Sequence, residues 1–341
     1  MKAFDEWLNL VSSLDNIYIY GAGKVAVKIT DLLDYSGKKG CLKGYIVSSK
    51  SGNPDDIKGV PVLLPSEVVN KSVAVLVSLS DVYHPEIFET LTNLGFCPVI
   101  PAHKYFSIEI EKAHSGDHDY AANIDESVRL SSKLSVYRMK MMDKYFSFSH
   151  AFGGNGFYQS FPKLGIKGTR NTAIRIEKYG LNDYVKPEST VLDIGCNIGF
   201  LDIEISGKVK SILGLEYSET LVEIGNETAK AIGTENVKFI SGDYNEWQKQ
   251  NTLSFDIIFS FAVHAWLNVR PEIYANQIVD MLNVNGIVIF ESQQLSTDKM
   301  FSTFVEALVS EKLQVLKDEI INDDGETDRK FIVMKKCHEN K

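Results

Sequence analysis

The feature that most constrains this chain is the run Val191-Leu-Asp-Ile-Gly-Cys-Asn-Ile-Gly-Phe200, a buried-strand pattern that turns through two glycines into an apolar helix. Val191, Leu192 and Ile194 supply the strand. Gly195 and Gly199 let the backbone approach a ligand where a Cβ would collide. Asn197 stands where a third glycine is common, and asparagine tolerates left-handed dihedrals. Tight strand-to-helix packing can demand the same small residues, so the meaning of the turn depends on the strands downstream of it.

Those strands come in a telling order. The segment Ser211–Tyr217 contains Glu216, about 20 residues after Gly195, the distance at which a doubly wound fold sets an acid on a ribose diol. A third strand, Val237–Ile240, runs into Ser241-Gly242-Asp243. A fourth, Phe255–Ser260, runs into Phe261-Ala-Val-His264-Ala-Trp266. Pro271 opens a helix that Asn283-Val-Asn-Gly286 ends before a strand Ile287–Phe290. A helix over about 298–312, a strand over 313–321, a turn at Asn322-Asp-Asp-Gly325 and a last strand Lys330–Met334 close the chain.

This order of pieces resembles the class I S-adenosylmethionine-dependent methyltransferases over roughly residues 186 to 336. A dehydrogenase shares the first two features, but the Gly-Asp after strand three and the antiparallel last strand favour the methyltransferase. The resemblance implies S-adenosylmethionine as cofactor. Asp193 and the turn Gly195, Asn197, Gly199 would hold its methionine part, and Glu216 would take the ribose hydroxyls. Asp243 and Tyr244 would border the adenine, and Tyr217, Gly242 and Ser260 complete the cofactor-binding set.

A second strand–turn–helix unit stands near the start. Ile17-Tyr-Ile-Tyr20 leads into Gly21-Ala-Gly23-Lys-Val-Ala26 and a helix, after a short leading helix over residues 4 to 14. The next strand ends in Ser48, Ser49 and Lys50, with no acid for a free ribose diol, so a phosphorylated ribose or another nucleotide suits it better. This stretch resembles the small Rossmann-like domains at the amino end of sugar-modifying enzymes of bacterial surface-polysaccharide pathways. It implies a second nucleotide or nucleotide-sugar site at Gly21, Gly23 and Ser48, with Tyr83 and His84 near a bound sugar. The alternative is a docking or dimerisation lobe. The expected fold is therefore α/β: two Rossmann-like doubly wound domains, the second a seven-stranded sheet with an antiparallel last strand. The boundaries are 1–102 for the first domain, 103–180 for linker, helix and substrate lid, and 181–341 for the methyltransferase domain.

Composition bounds the partners. The net charge of −9 argues against a general nucleic-acid binder. Yet between Val128 and Gly180 ten Lys and Arg face only Asp143 and Glu177, and such a local positive field suits an anionic substrate. No apolar run has the length of a membrane span and no signal peptide is recognised, which places the protein in the cytoplasm. Four scattered cysteines suggest neither disulfides nor a metal site. Cys196, inside the turn, reads as packing rather than nucleophile.

The chemistry expected is methyl transfer to a small anionic metabolite, an activated sugar or phosphate-bearing intermediate of surface-polysaccharide synthesis. Alternatives are a non-catalytic nucleotide-binding or assembly protein, a homodimer through the first domain being conceivable, and a tRNA methyltransferase. The presence of both glycines, Glu216 and Asp243 argues against a decayed cofactor site. His264, just past strand four and titrating near neutrality, is the candidate general base, with Glu291 and Gln293 as weaker ones. Tyr158, Gln159, Lys167 and Arg170, in the glycine- and aromatic-rich segment before the cofactor strand, are the candidate substrate contacts, together with Trp266.

Overall fold

The computed structural model describes residues 6, 9–11, 13–79, 84–102, 124–125, 127–146 and 156–337. It divides into two compact units, Met1–Ala122 with Glu126–Phe148, and Asn123–Asp125 with Ser149–Lys341. The segment 103–180, expected as one linker and lid, is thus shared between them.

The first unit is a six-stranded sheet. Its strands are β1 (Ile17–Tyr20), β2 (Leu42–Ile46), β3 (Asp56–Ile57), β4 (Val60–Leu63), β5 (Ala74–Val77) and β6 (Val99–Pro101), in the order β3-β4-β2-β1-β5-β6. All neighbours pair in parallel except β3 with β4. The period-two alternation of β1 decides what each face carries. Ile17 and Ile19 join a core with Ala26, Ile29, Leu32 and Leu33 of the helix Lys24–Tyr35. Tyr18 and Tyr20 point to the other layer, where Leu91 of the helix His84–Asn93 meets Val75, Val77 and Phe96. The helix Ser132–Phe146 packs on the first of these layers through Val136. Ser132 donates to Asp34 at 2.6 Å. Of the expected leading helix, residues 6 and 9–11 are helical and Val11 is buried in the same core. Tyr83 lies outside the described residues.

The second unit is a seven-stranded sheet: β7 (Thr190–Ile194), β8 (Ser211–Glu216), β9 (Val237–Ser241), β10 (Phe255–Phe261), β11 (Leu282–Glu291), β12 (Leu313–Ile321) and β13 (Arg329–Lys336). The order is β12-β13-β11-β10-β7-β8-β9, and β13 runs antiparallel between β11 and β12. The seven strands and the antiparallel last strand read from the sequence are all present. Strand order reverses at β7, whose carboxyl end is the switch point at which open α/β sheets bind ligands. Leu192 and Ile194 of β7, Ile258 of β10 and Val288 and Phe290 of β11 form one core with Tyr274, Ile278, Phe304 and Leu308 of two covering helices.

Two boundaries differ from the sequence reading. Asn283–Gly286, expected as a helix-ending turn, lies inside β11, where the pairing slips from Phe255↔Leu282 to Ile257↔Ile287. Asn285 with φ 65° and Gly286, whose Cβ would come within 2.7 Å of the Asn283 carbonyl, shape this bulge. The helix expected over 298–312 spans Phe301–Ser310. Asp298 sets its start, accepting from the Met300 and Phe301 N–H groups at 3.2 and 3.0 Å.

Candidate active site

The glycine turn leaves β7 at its carboxyl end with three residues in the left-handed region: Gly195 (φ 76°), Asn197 (φ 57°) and Gly199 (φ 75°). The Gly195 N–H donates to the Leu215 carbonyl at 2.8 Å, which ties the turn to β8. Here the glycines serve packing as much as approach. A Cβ on Gly195 would stand 2.5 Å from Val263 Cγ2, and one on Gly199 would enter the Phe239 ring. Phe239 of β9 fills a socket whose walls are Gly199, Gly214 and Gly225; a Cβ on Gly214 would meet it at 2.5 Å. The helix that opens the turn can therefore sit close on the sheet only because these positions lack side chains.

Glu216 closes β8 half-buried and held on both oxygens. Oε2 accepts from the Asn197 N–H and Oε1 from the Ser218 N–H, both at 3.0 Å. Each oxygen keeps a lone pair for an outside donor. Gly242 N–H donates to the Glu216 carbonyl at 3.0 Å, so β9's end is anchored to the same residue. Asp243 is exposed and caps the helix Tyr244–Gln250 with one oxygen only, Oδ1, which accepts from the Asn245 and Glu246 N–H groups at 2.8 and 3.1 Å. The turn, Glu216, Gly242 and Asp243 are thus brought together. Tyr217 is 81% exposed beside them.

Two residues expected at the cofactor are placed elsewhere. Tyr244 is buried in the apolar core, donating to Gln277 at 3.1 Å and packed against Tyr274. Ser260 is buried and accepts from the Tyr274 hydroxyl at 2.7 Å. Both stand at the right level of the sheet but point into the core layer.

Behind the turn lies a buried acid pair that the sequence reading does not anticipate. Asp193 is the penultimate residue of β7 and Asp202 belongs to the helix Phe200–Ile205; both side chains are buried, at 2% and 0% exposure. As two carboxylates, Asp193 Oδ1 and both Asp202 oxygens have no donor. Burial pushes Asp193 up to about 7, with Arg175 pulling it down and Glu216 adding to the rise. Burial and the neighbouring Asp193 push Asp202 well up. Arg175 is buried too, its Nε donating to Tyr179 at 3.2 Å and its Nη1 without a partner. The sequence does carry a signal for Asp202: a lone acid on the apolar run Phe200-Leu-Asp-Ile. Cys196 is a free, buried thiol held far above its ordinary range by burial, as a packing residue should be.

The segment before β7 corrects the expectation of a basic substrate lid. Arg170 is 0% exposed. Its Nη1 and Nη2 donate to the two oxygens of Glu291 at 3.1 and 3.0 Å, and its Nε donates to Asp323 at 2.8 Å. Tyr179 donates to Glu291 as well. Against the opposing push of burial, Arg170 and Arg175 hold Glu291 below the usual carboxylate range. Arg170 is a structural cation here, because its charge is matched before any substrate arrives. Gln159 is also internal. Its Nε2 donates to the Cys196 carbonyl at 3.2 Å, and its Oε1 accepts from the Leu201 N–H at 3.3 Å, so it braces the turn. Tyr158 is half-buried with its hydroxyl 3.3 Å from Arg170 Nη1, and Lys167 is exposed.

His264 does not present itself as a base. It is buried among Phe290, Phe301 and Phe304, with Nε2 3.1 Å from Asp298. Burial lowers its pKa against the pull of Asp298, leaving a neutral ring that donates from Nε2 and helps seat the Phe301 helix. Trp266 is 62% exposed. Gln293 is half-buried beside Asp298, which accepts from its N–H at 2.8 Å. In the first unit, Gly21 (φ 102°) would place a Cβ 2.6 Å from Ser78 Oγ, whereas Gly23 has open space around it and Ser48 is exposed. His84 bonds the Leu79 carbonyl at 2.7 Å. Among the described residues no group of His, Cys, Asp and Glu could hold a metal ion, and no helix is long and apolar enough to cross a membrane.

Parts of the chain are similar to known proteins. Residues 185–331 match the family model described as a methyltransferase domain. The uncharacterized methyltransferase YcgJ of Bacillus subtilis is 27% identical over 124 residues, 36% of this chain and 48% of that protein. An uncharacterized RNA methyltransferase of Mycoplasma mobile is 23% identical over 234 residues, 63% of this chain and 62% of that protein. Among solved structures, N-methyltransferase NodS from Bradyrhizobium japonicum, in complex with S-adenosyl-L-homocysteine, matches 48% of this chain and 85% of its own at 16% identity and a TM-score of 0.39. The chain spans about half of the first relative's length.

Proposed function

We propose that this chain, whose C-terminal half is a class I S-adenosylmethionine-dependent methyltransferase domain, transfers a methyl group to a small-molecule acceptor. The observation that carries the cofactor part is Glu216, fixed by two backbone N–H groups at the end of β8 with lone pairs free for a diol. The neighbours fit the same group. Asp243 keeps Oδ2 clear of its capping bonds, and Asp193 holds a buried, unpartnered oxygen beside the turn, suited to a cation. When bound, S-adenosylmethionine supplies a methyl on a positively charged sulfur. The chain's own part is to orient and to exclude water, and proximity accounts for most of the acceleration in such a reaction. Tyr158, half-buried and bonded by Arg170, is our candidate for a hydroxyl contact with the acceptor.

The acceptor reading rests on the charge map. Residues 149–341 carry 20 Lys and Arg against 27 Asp and Glu, an acidic surface that disfavours a polyanion. The basic run that suggests a phosphate is also dispersed in the folded chain. Arg129, Lys133, Arg138, Lys140 and Lys144 fall in the first unit, Arg170 and Arg175 are buried, and Lys163 pairs with Glu204 at 3.5 Å. Lys167 and Lys178 remain exposed. An activated sugar stays the first candidate, recognised through its hydroxyls more than its phosphates. RNA is the second reading, favoured by relatives named as RNA methyltransferases.

The test is calorimetric titration with S-adenosylmethionine, then transfer of labelled methyl to a cell extract split into low-mass and RNA fractions. Glu216→Ala should weaken cofactor binding by about 100-fold or more, since two hydrogen bonds to a charged group contribute about 3 kcal/mol at the least. Label in the low-mass fraction is expected. Label confined to RNA, with binding that collapses as salt rises, would replace the small-molecule reading.

A further inference from the structure

The segment Phe157–Phe161 meets the glycine turn with every second residue. Gln159 bridges to Arg170 and Phe161 to Ile166, and extended backbone of this kind sends Phe157, Gln159 and Phe161 to one side and Tyr158 and Ser160 to the other. On the far side Tyr158 meets Arg170, and Ser160 Oγ accepts from the Thr172 N–H at 2.8 Å. On the near side both phenyl rings close on Phe200, the first residue of the helix after the turn, with ring centroids at 6.1 and 4.8 Å. Between these two anchors the buried Gln159 amide bonds the turn at both of its ends. Nε2 donates to the Cys196 carbonyl at 3.2 Å, and Oε1 accepts from the Leu201 N–H at 3.3 Å. The backbone behind it has no slack, since a Cβ on Gly168 would stand 2.2 Å from the Gln159 carbonyl carbon.

The turn needs such a hold. Its helix begins at Gly199, which has no side chain to cap the first helical N–H groups. Gln159 supplies that acceptor from 42 residues upstream. Asn197 stands in the left-handed region, which a non-glycine residue keeps only where its surroundings fix it, and its N–H is one of the two that fix Glu216. Resting on the reading that this site holds S-adenosylmethionine, we propose that Gln159 is a positioning residue for the cofactor. Its amide keeps the turn from Cys196 to Leu201 in the conformation whose Asn197 N–H aims Glu216, so cofactor affinity depends on a side chain that acts through the turn. The two bonds run in opposite senses, one donated and one accepted. An amide meets both, a hydrocarbon neither, and a carboxylate lacks the hydrogen for the Cys196 carbonyl. A protonated carboxyl, with one O–H and one carbonyl oxygen, again meets both.

The experiment is calorimetric titration of the full chain with S-adenosylmethionine, for the wild type, Gln159→Met and Gln159→Glu, from about pH 5.5 to about pH 8.5. Urea unfolding of each protein establishes that it is folded where it is titrated. Gln159→Met fills similar space without hydrogen bonds and should weaken binding about tenfold, the effect of a turn correctly formed in about one molecule in ten. Gln159→Glu should bind within about threefold of the wild type at the acid end, where burial keeps the new carboxyl protonated, and should be weaker by about tenfold or more at the alkaline end. The titratable groups around the turn, Asp193, Cys196, Asp202, Glu216 and Arg175, and the amino group of the ligand are common to both proteins, so dividing by the wild-type affinity removes them. A glutamine with a structural role alone would move the urea midpoint and leave the affinity of the folded protein untouched. Wild-type affinity in Gln159→Met therefore overturns the inference, and so does a ratio of Gln159→Glu to wild type that stays flat with pH. Should Gln159→Met fail to fold, the pH course of that ratio decides alone. If the wild type binds no S-adenosylmethionine at any pH, the cofactor reading falls, and this inference with it.

Discussion

The two units each send a central parallel strand through a glycine turn into a helix, and the two turns are built to different ends. In the second unit the turn is committed on every side. Gly195 abuts Val263, Gly199 abuts Phe239, Asn197 binds Glu216, and two buried acids, Asp193 and Asp202, flank it along the chain. In the first unit only Gly21 is pressed, against Ser78; Gly23 faces open space. Beyond the end of β2 come the exposed Ser48 and Ser49 and then Lys50, which bonds Glu67 at 2.8 Å. Like motifs thus differ in what surrounds them. A glycine pattern marks where the backbone must turn, and the polar groups converging on it mark whether a ligand is meant.

The comparison breaks most sharply through the buried ions. Arg170→Met removes the guanidinium hydrogen-bonded to both buried carboxylates, leaving Glu291 with only the unbonded charge of Arg175 and Asp323 with Arg329 at 4.0 Å, which costs about 3 to 5 kcal/mol. The matching cut in the first unit, Lys58→Met, removes a partner of Asp31 that is one-third exposed and should cost at most about 1 kcal/mol. Urea unfolding followed by tryptophan fluorescence reads the first change, since Trp247 and Trp266 both lie in the second unit. A loss below about 1 kcal/mol for Arg170→Met would mean that the network is not a closed structural cluster.

Next in size is Gly199→Ala. The new methyl would overlap Phe239 in a left-handed backbone, combining overpacking of about 1 to 3 kcal/mol with a strain of about 1 to 2 kcal/mol. Adding Phe239→Leu to that variant should recover part of the loss, because the clash is with that one ring. Without recovery, the three-glycine socket is not what the glycines are for.

A smaller, graded effect comes from pH. The acid pair has folded-state pKa values raised above those of the unfolded chain. The protonated pair therefore favours the fold: its contribution is whole below the unfolded value of about 3.9 and is lost as pH rises through the folded one, about 7 for Asp193. The second unit should lose up to about 1.4 kcal/mol per pH unit across that window. Asp202→Asn should flatten the profile, and the first unit, which has no such pair among its described residues, should not share it.

Much of this is legible from the chain. Strands announce themselves by alternation and by the turns that bound them, so β12 and the chain-closing antiparallel β13 are visible. Direction and partnership are not. That Tyr244, Ser260 and His264 stand at the carboxyl edge is implied by their place after a strand. Whether they point into the pocket or into the core depends on the covering helices, which bring Tyr274 to Ser260 and Phe301 and Phe304 to His264. Arg170 misleads for a related reason. Its neutralising partners, Glu291 and Asp323, are 121 and 153 residues away in sequence, and no local pattern joins them.

The smallest expected effect tests the first turn on its own terms. Gly23 caps the helix Lys24–Tyr35 with φ −87° and ψ −168°, an extended backbone that any residue adopts, and the helix start has no side-chain cap. Alanine there gains a little from the lower entropy of the unfolded chain and loses a little as a poorer cap, so Gly23→Ala should leave the stability of the first unit within about 0.5 kcal/mol. Gly23→Ser should raise it slightly, by supplying the missing acceptor to the first helical N–H groups. Titration of both variants with a nucleotide sugar then carries the information. If the wild type binds and the variants do not, the backbone at Gly23 approaches a ligand and the open space is a site; if binding and stability are both indifferent to the side chain, this glycine serves the turn alone, and the two units differ in purpose as well as in packing.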